Sequence, residues 1–506
     1  MKTPLHVTRR LILRGSVTLG SAAVLAACAD SDPAPGSGAG GATASPDQSE
    51  PRSLTGGIHA VEWTIEVGPA VVTEGVTLVH MRLFPTEGEK ALGTSVFRSF
   101  NVPNDDIGGI RLLDLAGAGY YRESGGSTDG VVSAVSADEP LELNPLFPAV
   151  PEGTKDVTLF LPSFGVFPRV PVVSSTDVFD VKAALAASSP DLEDGGPYPL
   201  QSLIGAADGS AETQEAEDTT TVVVSGDVTF ASDSTELSEQ ADTVLASVTE
   251  QVKRYPSGGG LVITGHTDDV DSDAHNQDLS QRRAQAVADR LGQLVSLKSW
   301  TTSVVGKGES EPRVANDSDE NRAVNRRVEV VLTPTDPSEG EEKPAPAAVG
   351  ELPDPGGPVG TGKDGVDVSY RDATLHVSMD QVVRADGCLM GRILVSTDQF
   401  VALAHGAFHM PRQWQTHWGP VSTHICSATL LKGSTRYAPL QATIDSSLWP
   451  VTNRSVSHFD GPGAPTPLPV VWPDTGEDTV TLDLPGYGKD NSQGVVARLT
   501  DIPVEN

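Results

Sequence analysis

The chain carries four closely spaced polar motifs, which read G-H-T-D at Gly265–Asp268, N-Q-D-L-S-Q-R-R-A at Asn276–Ala284, G-K-G-E-S-E-P at Gly306–Pro312 and N-R-R-V-E at Asn325–Glu329. Asp268 follows an apolar run that predicts a strand, and Arg283 lies in the first turns of a predicted helix. This spacing brings an acid and a base to one surface. A carboxylate and a guanidinium that face one cleft suit a zwitterionic ligand, which carries both an ammonium and a carboxylate.

The four motifs, in this order, resemble the OmpA-like peptidoglycan-binding domain, and the resemblance covers residues 219–335. It implies that Asp268 and Arg283 hold the free amino-acid end of the diamino acid in a peptidoglycan stem peptide. As an alternative, the two residues form an ion pair that locks the loop. The family has two glycines that this chain replaces with Asp271 and Asn321. Because Asp and Asn tolerate positive φ, both loops are expected to keep their shape.

Three further polar residues are candidates for the same site. Thr267 and Asn276 are expected to shape the loop or to donate a hydrogen bond, and Asn276 is equally suited to cap the helix. The resemblance implies that Asp233 lies at the rim of the site, although a plain turn residue is the alternative. Arg326 and Arg327 are interpreted as structural ion-pair residues, with one side chain toward the helices and one toward solvent.

The N-terminus has the features of a bacterial export signal. Twin arginines in T-R-R-L-I-L-R at Thr8–Arg14 precede a weakly apolar run, and Leu25–Cys28 resembles a lipobox. Residues 1–27 are therefore predicted to be a twin-arginine lipoprotein signal peptide, with fatty acyl chains such as palmitate carried on Cys28. An uncleaved or soluble secreted protein is the alternative. The apolar run is too short to span a bilayer as a helix.

Charge excludes two classes of partner. The chain has 35 Lys and Arg against 68 Asp and Glu, and without the four cations of residues 1–27 the balance is 31 against 68, a net charge of −37. Such a surface is repelled by nucleic acid and by anionic lipid headgroups.

Composition predicts a multidomain chain, in which an OmpA-like α/β sandwich of order β-α-β-α-β-β lies between two all-β, immunoglobulin-like sandwiches. The first predicted segments are a disordered tether at residues 28–56, a β sandwich at 57–178 and an acidic linker at 179–218 with one helix around Val181–Ala187. The α/β domain follows at residues 219–335, then a Pro/Gly/Glu-rich linker at 336–365 and a second β sandwich at 366–506. The β sandwiches are predicted to be related because V-T-L-F-L-P-S-F-G at Val157–Gly165 is similar to V-T-L-D-L-P-G-Y-G at Val480–Gly488. Convergent turn chemistry is the alternative.

Cysteines and histidines cluster in the last segment. Cys388 and Cys426 of an exported protein predict one disulfide, and buried thiols are the alternative. H-G-A-F-H lacks the Glu of the zinc hydrolase motif, so the nearby histidines are interpreted as surface and turn residues: His405, His409, His417 and His424.

The run Asp269, Asp271 and Asp273 begins like a calcium loop, but Ala274 and Ser280 break the template. No metal or cofactor is predicted.

The sequence therefore predicts an exported, lipid-anchored cell-envelope protein that faces the cell wall and has no enzymatic activity. It is expected to bind peptidoglycan noncovalently and so to tether membrane to wall, a bivalent attachment that raises the effective concentration of the wall ligand. In a second hypothesis the chain is an adhesin or ligand-binding lipoprotein, whose β modules recognise an unknown envelope partner while the OmpA-like domain only anchors it. A third hypothesis is a metal-dependent enzyme in the His-rich segment.

Overall fold

The computed structural model describes residues 52–93, 97, 107–125, 131–188, 190–216, 218–231, 234–340, 351–403, 407–408, 414, 425–444, 447–452, 456–485 and 494–506. The predicted signal, Cys28, the tether up to residue 51, Asp233 and the four clustered histidines lie outside these residues. Residues Gln48–Asn506 pack into one compact unit. No helix among the described residues combines the length and apolarity that a bilayer crossing requires. The structure is a mixed α/β fold in which strands predominate.

Short strands form the first part of the described chain, where β-branched runs alternate with Gly and Pro. They are β1 (Arg52–Ile58), β2 (Val61–Thr73), β3 (Val76–Pro85), β4 (Lys90–Gly93), β5 (Arg111–Asp114), β6 (Gly119–Arg122), β7 (Val131–Val135), β8 (Leu141–Leu143), β9 (Leu146–Pro148), β10 (Asp156–Leu161) and β11 (Gly165–Val173). Two-residue turns with positive φ join β1 to β2 and β2 to β3, as expected for tight hairpins. Trp63, Ile65, Leu83, Phe147 and Leu159 are fully buried in the core between these strands.

The segment predicted to be an acidic linker contains ordered elements instead. The predicted helix is present as α1 (Val181–Ala187), capped by the Asp180 side chain. Beyond it lie two strands that were not predicted, β12 (Tyr198–Ala206) and β13 (Ala211–Glu215). They were not predicted because their polar residues give little hydrophobic signal. Hydrogen bonds to strands from distant parts of the chain hold them in place.

The middle of the chain forms the predicted α/β block. Its elements are β14 (Thr220–Ser225), α2 (Gly226–Thr229), α3 (Ala241–Arg254), β15 (Gly259–His266), α4 (Asp273–Leu294), β16 (Trp300–Gly306), α5 (Asp319–Asn325) and β17 (Arg327–Pro334), followed by a 3₁₀ turn at Pro337–Gly340. The strand order is β14-β17-β15-β16, in which only β15 and β16 are parallel. Apolar faces of α3 and α4 pack on this sheet through Leu245, Val248, Ala284, Val287 and Leu291. Strand β13 pairs with β14 and so extends the sheet beyond the predicted domain boundary.

Strands form the last part of the described chain as well. They are β18 (Val359–Thr361), β19 (Val366–Tyr370), β20 (Ala373–Ser378), β21 (Val382–Ala385), β22 (Cys388–Thr397), β23 (Val401–Ala402), β24 (Thr429–Lys432), β25 (Thr435–Tyr437), β26 (Gln441–Ile444), β27 (Ser447–Pro450), β28 (His458–Phe459), β29 (Thr466–Pro473), β30 (Thr479–Leu484) and β31 (Ala497–Glu505). Strand β18 pairs in parallel with β31, so the predicted second linker ends earlier than residue 365.

The first and last β regions repeat one pairing scheme. Hairpins β10–β11 and β30–β31 each have a register shift after their second paired residue. Arg169 and Asp501 both adopt positive φ, each two residues before a proline. Strand β11 then pairs in parallel with β2, and β31 pairs in parallel with β21. The sequence similarity of the two regions thus extends to strand pairing, whereas the immunoglobulin-like sandwich form stays a prediction.

The predicted disulfide is not present. Cys388 packs in an apolar cluster with Leu113, Phe160 and Met390, whereas Cys426 packs in a separate cluster with Leu203 and Trp414. Burial raises the pKa of the Cys426 thiol well above its ordinary value. The structure therefore supports the alternative interpretation, in which the two cysteines are buried thiols, and a thiol in such an environment is unreactive.

Candidate functional site

Asp268 lies in the loop that follows β15, as the motif predicts. The carboxylate is largely buried; Oδ1 accepts a hydrogen bond from the Val270 backbone N at 3.3 Å and Oδ2 accepts one from Arg326 Nη1 at 2.6 Å. Next to it the Thr267 backbone N donates to the Gly308 carbonyl at 2.9 Å. The loop is therefore fixed on both sides of its acidic residue.

Asn276 holds the same loop from the first turn of α4. Its buried Nδ2 has three acceptors within hydrogen-bond distance for its two hydrogens: the carbonyls of Asp268 and Asp271, each at 3.2 Å, and Glu309 Oε2 at 2.6 Å. It is not the helix N-cap, because α4 begins at Asp273 and the Ser272 side chain caps it. Of the two roles considered for Asn276, the structure supports that of shaping the loop.

Two glycines let α4 approach the strand ends closely. Gly265 and Gly306 are paired in register on β15 and β16. A Cβ on Gly265 would lie 2.2 Å from the Ser280 carbonyl oxygen, and one on Gly306 would lie 2.5 Å from the Gln281 N. The helix can lie this close to the sheet only because both positions lack a side chain.

Arg283 lies in the middle of α4, because the helix begins earlier than predicted. Its side chain is buried, Nε donates to the Ser234 carbonyl at 3.0 Å, and its guanidinium carbon lies 5.1 Å above the centre of the Phe230 ring. The ion pair of Asp268 is with Arg326. Asp268 and Arg283 therefore do not form the ion pair that was the alternative interpretation of these two residues.

Arg326 connects the two sides of this region. It binds both carboxylate oxygens of Asp227 at 2.6 Å through Nε and Nη2, while Nη1 binds Asp268. Hydrogen bonding to Asp227, and then to Asp268, raises the pKa of Arg326 above its ordinary value. Arg327 is buried and binds Glu329 at 2.7 Å. Both arginines form ion pairs, as the sequence interpretation expected, whereas the sequence motifs did not include Asp227 or Phe230.

His266, at the end of β15, and Thr267, at the start of the following loop, are both buried polar residues. Both ring nitrogens of His266 and Oγ1 of Thr267 have no hydrogen-bond partner among the described residues. Burial, aided by the charge of Arg327, lowers the pKa of His266 to about 4. His266 is therefore neutral at physiological pH.

The two replaced glycines need no special backbone conformation. Neither Asp271 nor Asn321 is among the described residues with positive φ, so the tolerance that we expected of Asp and Asn is not used. The residues of the acidic run have different neighbours: Asp269 lies 3.9 Å from Arg322, and Asp271 lies 3.9 Å from His275. Within the part of the chain that the structure describes, this run does not form a metal-ligand group.

Comparison with known proteins supports the central assignment. Residues 229–326 match the OmpA family and form an OmpA-family domain that contains most of the four motifs. The chain is 41% identical over 103 residues to outer membrane porin F of Pseudomonas aeruginosa, covering 20% of this chain and 29% of that protein. It is 38% identical over 108 residues to the probable lipoprotein YiaD of Escherichia coli, covering 21% of this chain and 48% of that protein.

Among solved structures, the cell wall anchor of the T6SS from Pseudomonas aeruginosa is 32% identical. The match covers 25% of this chain and 88% of that one, with a TM-score of 0.22. The chain spans less than half of the length of both curated relatives described above. Similarity to those relatives therefore concerns one domain of this chain.

Proposed function

We propose that this chain is a cell-envelope protein that binds peptidoglycan noncovalently through its OmpA-family domain. One observation carries the proposal: Asp268 and Arg283 both connect to a single short segment, residues 227–234. Arg283 contacts Phe230 and Ser234, while Asp268 reaches Asp227 through Arg326. An acid and a base thus border one short stretch at the start of the α/β block.

The chemistry of the two groups suits the free end of a diamino acid in a stem peptide. Among the described residues Asp268 Oδ1 accepts one long hydrogen bond, from Val270, and so has capacity for a ligand ammonium while Arg326 holds Oδ2. Arg283 would bind the ligand carboxylate, for which a guanidinium is well matched. No catalysis is proposed.

Co-sedimentation of the full chain with purified peptidoglycan tests the proposal. Asp268→Ala and Arg283→Ala should each weaken binding at least about tenfold, since each removes a charge-assisted contact of about 1.5–3 kcal/mol. Arg283→Lys should recover only part of the affinity, because an ammonium cannot form the bidentate contact. The matched controls are Arg282→Ala and Asp278→Ala, exposed neighbours on α4 that pair with each other.

Folded Asp268→Ala and Arg283→Ala variants that sediment like the parent would place wall binding outside this site. In that case binding assays with the isolated β regions become the test of the adhesin alternative. Circular dichroism provides the folding control for every variant.

A lipid on Cys28 would hold the chain to the membrane while its central domain binds the wall. The proposal follows from the lipobox-like Leu25–Cys28 and the twin arginines. The two β regions, which we propose are related sandwiches, would then be presented in the envelope. Cys28→Ser should move the protein from the membrane fraction to the soluble or precursor pool. Retention of this variant in carbonate-washed membranes would contradict the lipid anchor.

A further inference from the structure

Three potential metal ligands meet where the first and last β regions touch. His59 lies in the turn between β1 and β2, His458 lies on β28, and Asp460 follows that strand. One ligand atom of each residue lies within 4.8 Å of the other two. The group belongs to neither the OmpA-family domain nor the histidine cluster of the sequence.

The Asp460 carboxylate turns one oxygen toward each imidazole, at distances that are long for hydrogen bonds and that also match two ligands of one ion. His59 Nδ1 lies 3.3 Å from Asp460 Oδ2, and His458 Nε2 lies 3.4 Å from Asp460 Oδ1. Hydrogen bonds between N–H and O typically span about 2.7–3.2 Å. Two ligands of a tetrahedral zinc ion, with bonds of about 2.0–2.2 Å, lie about 3.4 Å apart. For comparison, the N···O distance is shorter in the pair of His376 and Asp367, where Nδ1 lies 2.9 Å from Oδ1.

Backbone contacts hold the two segments together independently of these side chains. His59 and Ala60 both adopt positive φ, which turns the chain sharply. The Ala464 N donates to the Ala60 carbonyl at 2.9 Å, and a Cβ on Gly463 would lie 2.2 Å from that same oxygen. The turn that carries His59 is therefore docked on the loop that follows Asp460, and the ligands do not have to be gathered by an ion.

The His458 ring is oriented for binding through Nε2. Its Nδ1 lies 2.9 Å from Ser457 Oγ, and its ring stacks on Phe400 with centroids 5.2 Å apart. Metal-binding histidines usually have such a partner on the other ring nitrogen, which sets the tautomer and the ring orientation. The His59 side chain is more than half exposed, so an ion can reach the group from solvent.

We propose that His59, His458 and Asp460 bind a divalent transition metal, with Zn²⁺ as the preferred ion. Two imidazoles and one carboxylate are a ligand set that suits Zn²⁺. Three protein ligands leave at least one coordination position for water or for a ligand from outside. Because the ligands come from opposite ends of the described chain, the ion also joins the first β region to the last.

Equilibrium dialysis of the EDTA-stripped full chain against Zn²⁺ tests the site, with bound metal measured by atomic absorption. His59→Ala, His458→Ala and Asp460→Asn should each bind one molar equivalent less than the parent. His376→Ala, which disrupts the hydrogen-bonded pair with Asp367, should bind as much as the parent. Zn²⁺ should also raise the melting temperature of the parent by a few degrees, and this rise should be absent in the three variants.

Equal stoichiometry in the parent and all three variants would overturn the proposal, because zinc would then be held elsewhere, for example by the histidines between residues 405 and 424. A parent that binds no zinc would overturn it as well. Asp460→Asn keeps the size of the side chain, and the melting temperature of each variant in EDTA separates loss of metal from loss of fold.

Discussion

At the scale of single residues, Arg326 determines how Asp268 is presented. Its guanidinium is held by two bonds to Asp227 and contributes a third to Asp268, so the Asp268 carboxylate has a defined position without the proposed ligand. Binding to a pre-positioned carboxylate avoids part of the cost of ordering side chains. The same cation offsets part of the negative charge that Asp269 and Asp271 add to the loop.

His266 is predicted to make the domain sensitive to mild acid. Its pKa is about 4 in the folded chain, below the ordinary value of 6.5, so the unfolded chain takes up the proton first. The stability that this residue contributes is therefore fully present above about pH 6.5 and is lost as pH falls toward about 4. The loss should be about 3 kcal/mol. Urea denaturation of the parent and of His266→Leu at pH 7, 5.5 and 4 measures it.

The His266→Leu variant should gain stability relative to the parent as the pH falls, because an apolar residue has no proton to accept. His275→Leu is the control for the loss of one imidazole at an exposed position of α4. Parallel profiles for the parent and His266→Leu would show that His266 titrates normally.

Sequence reasoning could propose the acid and the base of the candidate site but not what each one contacts. Asp268 and Arg283 stand out because motif spacing is visible in one dimension. Asp227 and Phe230 belong to a segment with no distinctive pattern, and they reach the site only through the fold. The disulfide prediction was wrong for a related reason, since cysteine count and compartment do not report which apolar cluster each thiol joins.

At the scale of elements, the contact between α4 and the ends of β15 and β16 depends on glycine. Gly265→Ala should destabilise the domain by about 2 kcal/mol or more, because the new Cβ would meet the Ser280 backbone, which cannot move without shifting the helix. Gly292→Ala is the matched control on the same helix, where a Cβ has nothing within 4 Å. It should stabilise the helix by about 0.8 kcal/mol.

Differential scanning calorimetry of both variants measures these effects. A melting temperature that falls for Gly265→Ala and rises for Gly292→Ala supports the packing argument. A Gly265→Ala variant that melts like the parent would mean that the helix does not lie against the strand ends as closely as described.

Elements with strong periodicity were predictable, and those that depend on distant partners were not. The sequence of β14, α3, β15, α4, β16 and β17, as well as helix α1, follows from apolar spacing, whereas the short helices α2 and α5 were not predicted. The start of α4 was misplaced because Asp273–Asn276 is polar and resembles a loop, whereas the Ser272 side chain caps the helix there. Strands β12 and β13 were missed because their Ser, Gln, Thr and Glu residues carry little hydrophobic signal.

At the scale of the whole molecule, β12 joins the parts that composition separates into domains. It pairs with β6 of the first β region, with β25 and β26 of the last, and with β13, which continues into the α/β sheet. Two partly buried ion pairs reinforce that junction, Glu212 with Arg313 and Glu215 with Arg254. Part of the predicted acidic linker is in this way the strand with the most pairing partners among the described residues.

Proline at position 204 tests this connection directly. Ile204 is paired with Thr213 on one side and with Tyr437 on the other. Ile204→Pro removes a ladder hydrogen bond and cannot be accommodated in the middle of a sheet. Hydrogen exchange of the variant should therefore rise in β13 and in β25 together, whereas strands β1 and β2, which do not pair with β12, should exchange like the parent.

The control is Ile204→Ala, which loses side-chain packing but keeps the backbone N–H and should raise exchange less in both strands. The outcome separates two architectures. If the central domain were linked flexibly to the β regions, the effect of Ile204→Pro would remain within residues 198–215. If β12 couples them, a change at one residue of the strand loosens the last β region and the edge of the α/β sheet at once, because both use that strand as their neighbour.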